Sequence, residues 1–363
     1  MKNNIELNKK MDQERLSEKE KSVRFFDKVY ESIILAGQSE GGFIDQYLSI
    51  GGYTIHLKFS GPSLIPYLIP AIKHLTSDSQ TKSALTIYLL DSASTGIKIP
   101  PPPWSHEDYL AQGMISGYNN GRIHTSYNLV TSMLSMLDSE RDLGLLWIKD
   151  ARQILYTDSA APFRSIFHWW MRDHNRQLLH AASVGDLTGA VLIPGRSGSG
   201  KSTTALACMF AGFFYLGDDH VLVDEAPNPH IYSLYNSAKV HAENLRDFPH
   251  LLPMVSNNKK LDCEKALIFM YEHHPERITT CLPIRLIIIP KITGLTSTKF
   301  YSVSPGKALK ALAPSSIFQL SGAGLKDFQA IANFVRKVPC YTVELGTTLS
   351  EIPKVFASLL SEN

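Results

Sequence analysis

Residues 195–202 have the composition and spacing of a phosphate-binding loop. Their letters, GRSGSGKS, fit the pattern G-x-x-x-x-G-K-[ST], between an apolar run at 191–193 that predicts a strand and a segment at 203–211 that predicts a helix. In that context backbone N–H groups surround phosphate oxygens, the lysine reaches the β- and γ-phosphates, and the serine hydroxyl holds Mg²⁺. We therefore expect a nucleoside triphosphate site made of Gly195, Arg196, Ser197, Gly198, Ser199, Gly200, Lys201, Ser202 and Thr203.

Two adjacent carboxylates follow this predicted helix. Asp219 lies 17 positions after Ser202, and Asp218 precedes it directly. If a strand placed them beside the loop, their side chains would point to opposite faces. One acid would then hold Mg²⁺ and the other would accept the proton of an attacking hydroxyl. We predict Asp218 as a metal ligand together with Ser202, and Asp219 as the base; an Asp-Asp turn after Gly217 is the structural alternative.

A histidine lies upstream of the loop. His180 precedes Gly195 by 15 positions, and a strand–turn–strand route from His180 to Val191 would return it to the loop end of the sheet. There it would hydrogen-bond an aspartate or a phosphate oxygen and tune the base. A lone histidine is more commonly a structural residue, and that alternative stays open.

Three segments that contain these residues, 179–185, 191–202 and 211–219, resemble the HPr kinase/phosphorylase superfamily, which carries a histidine, a P-loop and an Asp-Asp pair in this order. Segments 233–240, 283–290, 312–320 and 338–341 are similar to a narrower group, the serine kinases of lasso-peptide and related ribosomal peptide biosynthesis. The resemblance implies an α/β fold, with a P-loop domain of the PEP carboxykinase/HPr kinase type preceded by a smaller α+β domain. It covers residues 160–360 well and the first half of the chain loosely.

The resemblance also implies roles for individual residues. Asp219 matches the proton acceptor, His180 its supporting histidine, Lys201 the phosphate-binding lysine and Ser202 the Mg²⁺ ligand. It implies ATP and Mg²⁺ as cofactors, and the serine of a precursor peptide as phosphate acceptor. The second metal carboxylate and the distal basic residue of the superfamily have no clear match, which puts phosphorolysis in doubt. The candidates are Glu243, Arg285 and Lys239, although Lys239 also fits an ordinary surface lysine.

Composition excludes several classes of protein. The 363 residues have a formal net charge of +2 and no basic block of the kind that tracks nucleic acid. The longest apolar runs, such as 282–290, are only strand-sized, and the polar N-terminal segment lacks the apolar region of a secretory signal. Four scattered cysteines predict unpaired thiols. We expect a cytoplasmic protein without nucleic-acid or membrane partners; homo-oligomer formation stays open.

The chain divides by pattern into a polar tail (1–22), an α+β domain with a possible peptide-recognition role (23–158) and the kinase-like domain (159–363). Apolar spacing predicts strands at 53–59, 85–90, 145–148 and 153–156 in the first half, and at 284–289, 299–303 and 341–344 in the second. It predicts helices at 25–35, 161–172, 308–312, 325–335 and 352–360. Trp169 and Trp170 are expected to pack in the core.

Other functions remain as alternatives. A non-kinase ATPase is one, since 319–324 faintly resembles a transporter signature, but no apolar run ending in Asp-Glu follows it. A GTPase is disfavoured because 258–262 is one residue too long for the N-K-x-D base reader. A small-molecule kinase, a kinase for another protein and a nucleotide-binding module without turnover stay open. Residues 272–274 (EHH) lack the spacing of a zinc site, so we expect an exposed loop there.

Overall fold

The structure, a computed structural model, describes residues 2–78, 82–224 and 226–362. Its helices are α1 (Lys2–Ser39), α2 (Ile65–Leu68), α3 (Ser92–Thr95), α4 (Tyr156–Ala160), α5 (Arg164–Asp173), α6 (Lys201–Phe210), α7 (Met270–His273), α8 (Pro305–Phe318), α9 (Leu325–Val335) and α10 (Glu351–Glu362). Its strands are β1 (Ile44–Ile50), β2 (Tyr53–Phe59), β3 (Leu85–Asp91), β4 (Ile123–Asn128), β5 (Met133–Asp138), β6 (Leu143–Ile148), β7 (Arg176–Leu179), β8 (Ala181–Asp186), β9 (Gly189–Pro194), β10 (Phe214–Gly217), β11 (Val221–Asp224), β12 (His230–Ser233), β13 (Ser237–Val240), β14 (Ala266–Phe269), β15 (Cys281–Ile292), β16 (Lys299–Ser302) and β17 (Cys340–Leu345). Single 3₁₀ turns occupy several of the connections.

The first half of the chain forms a six-stranded sheet in the order β1-β2-β3-β6-β5-β4. Strands β2, β3 and β6 run parallel, and the hairpins at both edges are antiparallel. The β1–β2 turn is Gly51-Gly52, both with positive φ, as a two-residue hairpin turn requires. The predicted strands at 53–59, 85–90 and 145–148 are confirmed; β1, β4 and β5 were not predicted.

The long helix α1 packs on one face of this sheet. Phe26, Val29 and Ile33 are fully buried and share an apolar cluster with β5 and β6. Because these positions recur at helical spacing, the predicted helix at 25–35 is confirmed. The helix begins at Lys2, so most of the segment predicted as a polar tail, 1–22, is helical. Its Lys- and Glu-rich sequence has high helix propensity, so the helix continues outward from the buried stripe.

The second half forms a mixed sheet in the order β10-β8-β9-β15-β12-β11-β7, extended by β17 and β16 beside β15. Strand β15 is parallel to β9 and β17, and the other neighbours are antiparallel. Helices α6 and α10 contribute to the apolar cluster on one face, and α8 and α9 to that on the other. Strands β13 and β14 form a separate ribbon. The chain therefore has a mixed α/β fold. The predicted strands and helices of this half are confirmed, although β16 ends one residue earlier than predicted and α5 begins at Arg164 rather than at 161.

The two halves share one apolar core. Trp169 and Trp170 on α5 are buried in the same cluster as residues of both sheets, which confirms their predicted packing role. The predicted strand at 153–156 is wrong: the Asp150 carboxylate accepts the Arg152 N–H and starts a 3₁₀ turn, and α4 follows. Within the ranges that the structure describes, no helix is both long enough and apolar enough to cross a bilayer.

Candidate functional site

The predicted phosphate loop joins the end of β9 to the start of α6. Gly195, Gly198 and Gly200 have φ angles of 151°, 79° and 97°, a backbone conformation that residues with a Cβ atom rarely adopt. At Gly200 a Cβ atom would also lie 2.8 Å from Leu345 Cδ1. The loop therefore depends on these glycines, and it directs the free N–H groups at the N-terminus of α6 toward one place.

Lys201 lies across this loop. Its Nζ atom donates hydrogen bonds to the Gly195 carbonyl at 2.6 Å and to the Arg196 carbonyl at 3.2 Å. The side chain is buried, and burial lowers the pKa of its ammonium group. An ammonium group and helix N–H groups that converge in this way form a site for an anion such as a phosphate group.

The sheet topology brings His180 and Asp219 together. His180 connects β7 to β8, and Asp219 lies between β10 and β11. On one side of His180, Leu179 pairs with Val221 on β11. On the other side, Ala181 pairs with Pro194 at the end of β9, so His180 and Asp219 both lie at the loop end of the sheet. There His180 Nε2 lies 3.0 Å from Asp219 Oδ1. The structure thus follows the strand–turn–strand route predicted for His180.

A lysine also contacts Asp219. Lys239 on β13 donates to Asp219 Oδ2 at 2.5 Å. Burial acts to raise the pKa of Asp219, but the His180 hydrogen bond and the Lys239 charge outweigh it, so the pKa lies well below its ordinary value. Asp219 is therefore an ionised carboxylate held between two N–H donors.

Asp218 has the opposite environment. One carboxylate oxygen accepts the Lys239 backbone N–H at 3.0 Å, and the other is buried without a hydrogen bond. Burial and the Asp219 charge raise the pKa of Asp218, against the influence of Ser202 and Lys201. A buried carboxylate oxygen without a partner beside a loop serine fits a hard cation such as Mg²⁺. The two acids do not alternate along a strand as predicted; they lie in the bend after β10.

Most of these groups border a cleft of about 640 Å³, its solvent-open mouth included; Asp218 is buried and is not among the residues that line it. Six predicted loop residues line it: Ser197, Gly198, Gly200, Lys201, Ser202 and Thr203. Gly195 and Arg196 supply the carbonyls that hold Lys201, and the Ser199 hydroxyl is buried without a hydrogen bond. His180, Asp219 and Lys239 line the opposite wall.

Lys265 and His220 are among the residues of this site that sequence reasoning missed. Lys265 lines the cleft with its Nζ atom 3.5 Å from the Ser197 hydroxyl, and the isolated lysine gave no signal. His220 is fully buried, its Nδ1 lies 3.5 Å from Asp219 Oδ2, and burial lowers its pKa well below the ordinary value. Its place directly after the Asp-Asp pair was the available signal.

Two candidates do not join the site. Arg285 donates to the Thr188 carbonyl in the β8–β9 turn at 2.9 Å. The six residues of β9, roughly 20 Å of strand, separate that turn from the loop, so Arg285 is wrong as the distal basic residue. Glu243 is exposed in a 3₁₀ turn and lies outside the lining of the cleft.

Residues 272–274 are also placed differently from the prediction. They end the short helix α7 and its cap rather than forming a loop. Over the described parts of the chain, no three His, Cys, Asp or Glu side chains converge to hold a metal ion. A cation in the cleft would therefore depend on Asp218, Ser202 and oxygens of its ligand.

Comparison with known proteins gives likenesses among solved structures. The chain is similar to the HPr(Ser) kinase/phosphatase from Coxiella burnetii, with 10% sequence identity over 51% of this chain and 95% of that chain, and a TM-score of 0.29. At these values the likeness assigns no role to any residue here. No protein-family model matches the chain, and no curated protein sequence matches it.

Proposed function

We propose that this protein is an ATP- and Mg²⁺-dependent kinase that transfers the γ-phosphoryl group to a serine hydroxyl of a peptide. The observation that carries the proposal is Asp219, an ionised carboxylate held by His180 and Lys239 in the same cleft as the phosphate loop. From the sequence resemblance, we propose the precursor of a lasso-type ribosomal peptide as its substrate and partner.

The side chains at this site divide the parts of the reaction. The loop N–H groups and Lys201 bind the phosphates, and Ser202 and Asp218 hold the metal ion. When bound, Mg²⁺ neutralises charge that develops on the phosphates. Asp219 accepts the proton of the attacking serine hydroxyl as the serine oxygen bonds to the γ-phosphorus. The bond between the γ-phosphorus and the bridging β-phosphate oxygen breaks in the same transfer, and ADP leaves with that oxygen. His180 keeps the carboxylate oriented through its hydrogen bond.

The low pKa of Asp219 is compatible with this role. Phosphoryl transfer has a loose transition state, so placing the hydroxyl in line matters more than the strength of the base. Lys239 contacts Asp219 in the structure, and phosphate charge in the cleft would compete for that ammonium group. A Lys239 that shifts toward phosphate would leave Asp219 more basic when the nucleotide is present.

The test is Asp219→Asn, with the exposed Asp262→Asn as a matched control. We expect Asp219→Asn to bind ATP almost as well as the wild type, since the loop and Lys201 remain. Phosphate transfer to peptide should fall roughly 10²- to 10⁴-fold, the usual contribution of a general base. Equilibrium binding of a fluorescent ATP analogue and mass spectrometry of the peptide measure the two quantities. An Asn variant with wild-type transfer would remove Asp219 from this role.

A further inference from the structure

A second cleft lies at the outer edge of the first sheet. Exposed apolar side chains border it: Leu110 is 53% exposed and Leu129 is 51% exposed. The backbone of Phe318, whose side chain is 72% exposed, adjoins the cleft, since Gln112 in the lining donates a hydrogen bond to its carbonyl. Apolar side chains clustered in this way at a cleft are typical of a binding surface rather than of a monomer's solvated face.

The inner end of this groove adjoins the candidate active site. Ser237 on β13 donates to the Ala160 carbonyl at 2.7 Å, and Tyr235 donates to the Pro162 carbonyl at 2.8 Å. Ser237 and Lys239 are two residues apart on one strand, so they share a face and lie about 7 Å from each other. The α4–α5 connection is therefore fixed to the strand that carries Lys239 to Asp219.

Two charged residues of that connection line the groove. Asp158 is near the end of α4, and one of its carboxylate oxygens is buried without a hydrogen bond. Arg164 begins α5, and in the described part of the chain its guanidinium group makes no hydrogen bond or ion pair. The positive charge of Arg164 influences the pKa of His220 and of Tyr235, and the positive charge of Lys239 influences the pKa of Asp158. Arg164 and Asp158 therefore lie near His220 and Lys239, the residues beside Asp219.

We propose that this groove binds the acceptor peptide, with bulky apolar side chains against Leu110, Leu129 and Phe318 and a peptide carboxylate against Arg164. The proposal rests on the proposed function and names the substrate chemistry of that site. The planar guanidinium fork matches a carboxylate, and the neighbouring Asp158 disfavours a doubly charged phosphate there.

The edge of the first sheet is already paired within the chain. Along its last strand, β4, the backbone of Ile123 is hydrogen-bonded to Asn120 and that of Thr125 to Asn119. The peptide is therefore held by its apolar side chains and its carboxylate rather than by adding a strand. The carboxylate comes from either an acidic side chain or the peptide's own C-terminus, and these sources share one chemistry.

The test uses synthetic serine peptides that carry Leu and Phe, with Asp or Asn near the serine and with a free or amidated C-terminus. We expect peptides with a carboxylate to have a kcat/KM roughly ten- to a hundredfold higher than their amide counterparts. Arg164→Gln should remove that difference, and the exposed Arg152→Gln, whose guanidinium pairs with Asp150, should keep it. Leu129→Asp should weaken use of the apolar peptides, and Leu187→Asp, in the distant β8–β9 turn, should not.

Fluorescence anisotropy of the same labelled peptides separates this proposal from the proposed function. Binding that depends on Arg164, without phosphorylation, would support the groove and contradict the kinase. Phosphorylation with no preference for a carboxylate, or with the preference intact in Arg164→Gln, would overturn the groove and leave the kinase. Peptides that neither bind nor react in an Arg164-dependent way would also overturn it.

Discussion

At the scale of single residues, the two adjacent aspartates differ because their neighbours differ. Asp219 has two N–H donors, His180 and Lys239, which hold its pKa down. Asp218 has one backbone donor and the negative charge of Asp219 beside it, and its pKa is raised. A cation bound beside Asp218 would offset the unfavourable negative charge of this buried carboxylate.

This contrast predicts opposite effects on stability. The pKa of Asp218 is higher in the folded than in the unfolded chain. Its contribution to the stability of the fold is therefore lost as pH rises through its folded pKa. Asp218→Asn should therefore raise the Tm at pH 7, and the gain should shrink as pH falls toward about 4, near the unfolded pKa. Thermal unfolding across this pH range, without nucleotide or metal, measures it.

Asp219→Asn provides the comparison for that measurement. In the wild type, the pKa of Asp219 is lower in the folded than in the unfolded chain. Asp219 therefore stabilises the fold above its unfolded pKa, and this stabilisation is lost as pH falls through its folded pKa. We expect this variant to have a lower Tm than the wild type at pH 7. A Tm for Asp218→Asn that is also below the wild type at pH 7 would contradict the account of Asp218.

Much of the residue-level arrangement could be predicted, because local sequence determines it. The route from His180 to Val191 is one short hairpin, so the histidine had to return beside the loop. Lys239 was only a candidate, since its position depends on the separate β13–β14 ribbon. Arg285 was wrong because position along β15 decides which end of the sheet a residue reaches, and that register was not known.

At the scale of elements, the glycines of the loop 195–200 determine whether the N-terminus of α6 can face a phosphate. Gly200→Ala would place a Cβ atom at φ 97° and against Leu345, so the loop must shift. We expect ATP affinity to fall at least tenfold while the fold is kept, as read by nucleotide binding and circular dichroism. The control is Gly306→Ala in the first turn of α8, where φ is ordinary and space is free.

A wild-type ATP affinity in Gly200→Ala would contradict the role of this loop. Loss of folding in Gly200→Ala would be recognised by circular dichroism, and Gly198→Ala then serves instead. At Gly198 no atom lies within 4 Å of an added Cβ, so only the positive φ is disturbed.

Elements with a clear period could be predicted and those shaped by tertiary contacts could not. Strand β2 alternates buried and half-buried positions, so its bounds were predicted as observed. Strands β4 and β5 are buried on both faces over much of their length, which removes the alternation. Strand β15 extends through Pro283 and Pro290, residues that normally interrupt a strand.

At the scale of the whole molecule, the two halves are joined by buried polar contacts as well as by the shared core. The Asn236 side chain donates to the Pro70 and Ala71 carbonyls, each at 2.8 Å, and accepts the Tyr271 N–H at 3.3 Å. Asn236 is fully buried. The division of the chain at 158/159 stays a prediction, and the apolar core crosses that boundary.

Asn236→Ala should therefore lower the free energy of unfolding by roughly 2–4 kcal/mol. The Pro70 and Ala71 carbonyls lose the side-chain donor, the Tyr271 N–H loses its acceptor, and a cavity forms. The exposed Asn258→Ala should change it by less than about 0.5 kcal/mol. Denaturant unfolding measures both. An Asn236→Ala protein as stable as Asn258→Ala would show that this junction contributes little.

The most direct test of the account is the fate of the γ-phosphoryl group. The protein is incubated with Mg²⁺, γ-¹⁸O-labelled ATP and candidate precursor peptides, and the peptides and released phosphate are analysed by mass spectrometry. If Asp219 is the base of a peptide kinase, the wild-type protein transfers the label to a peptide serine and Asp219→Asn does not. Label found only in inorganic phosphate, with every peptide unmodified, would contradict it and indicate an ATPase.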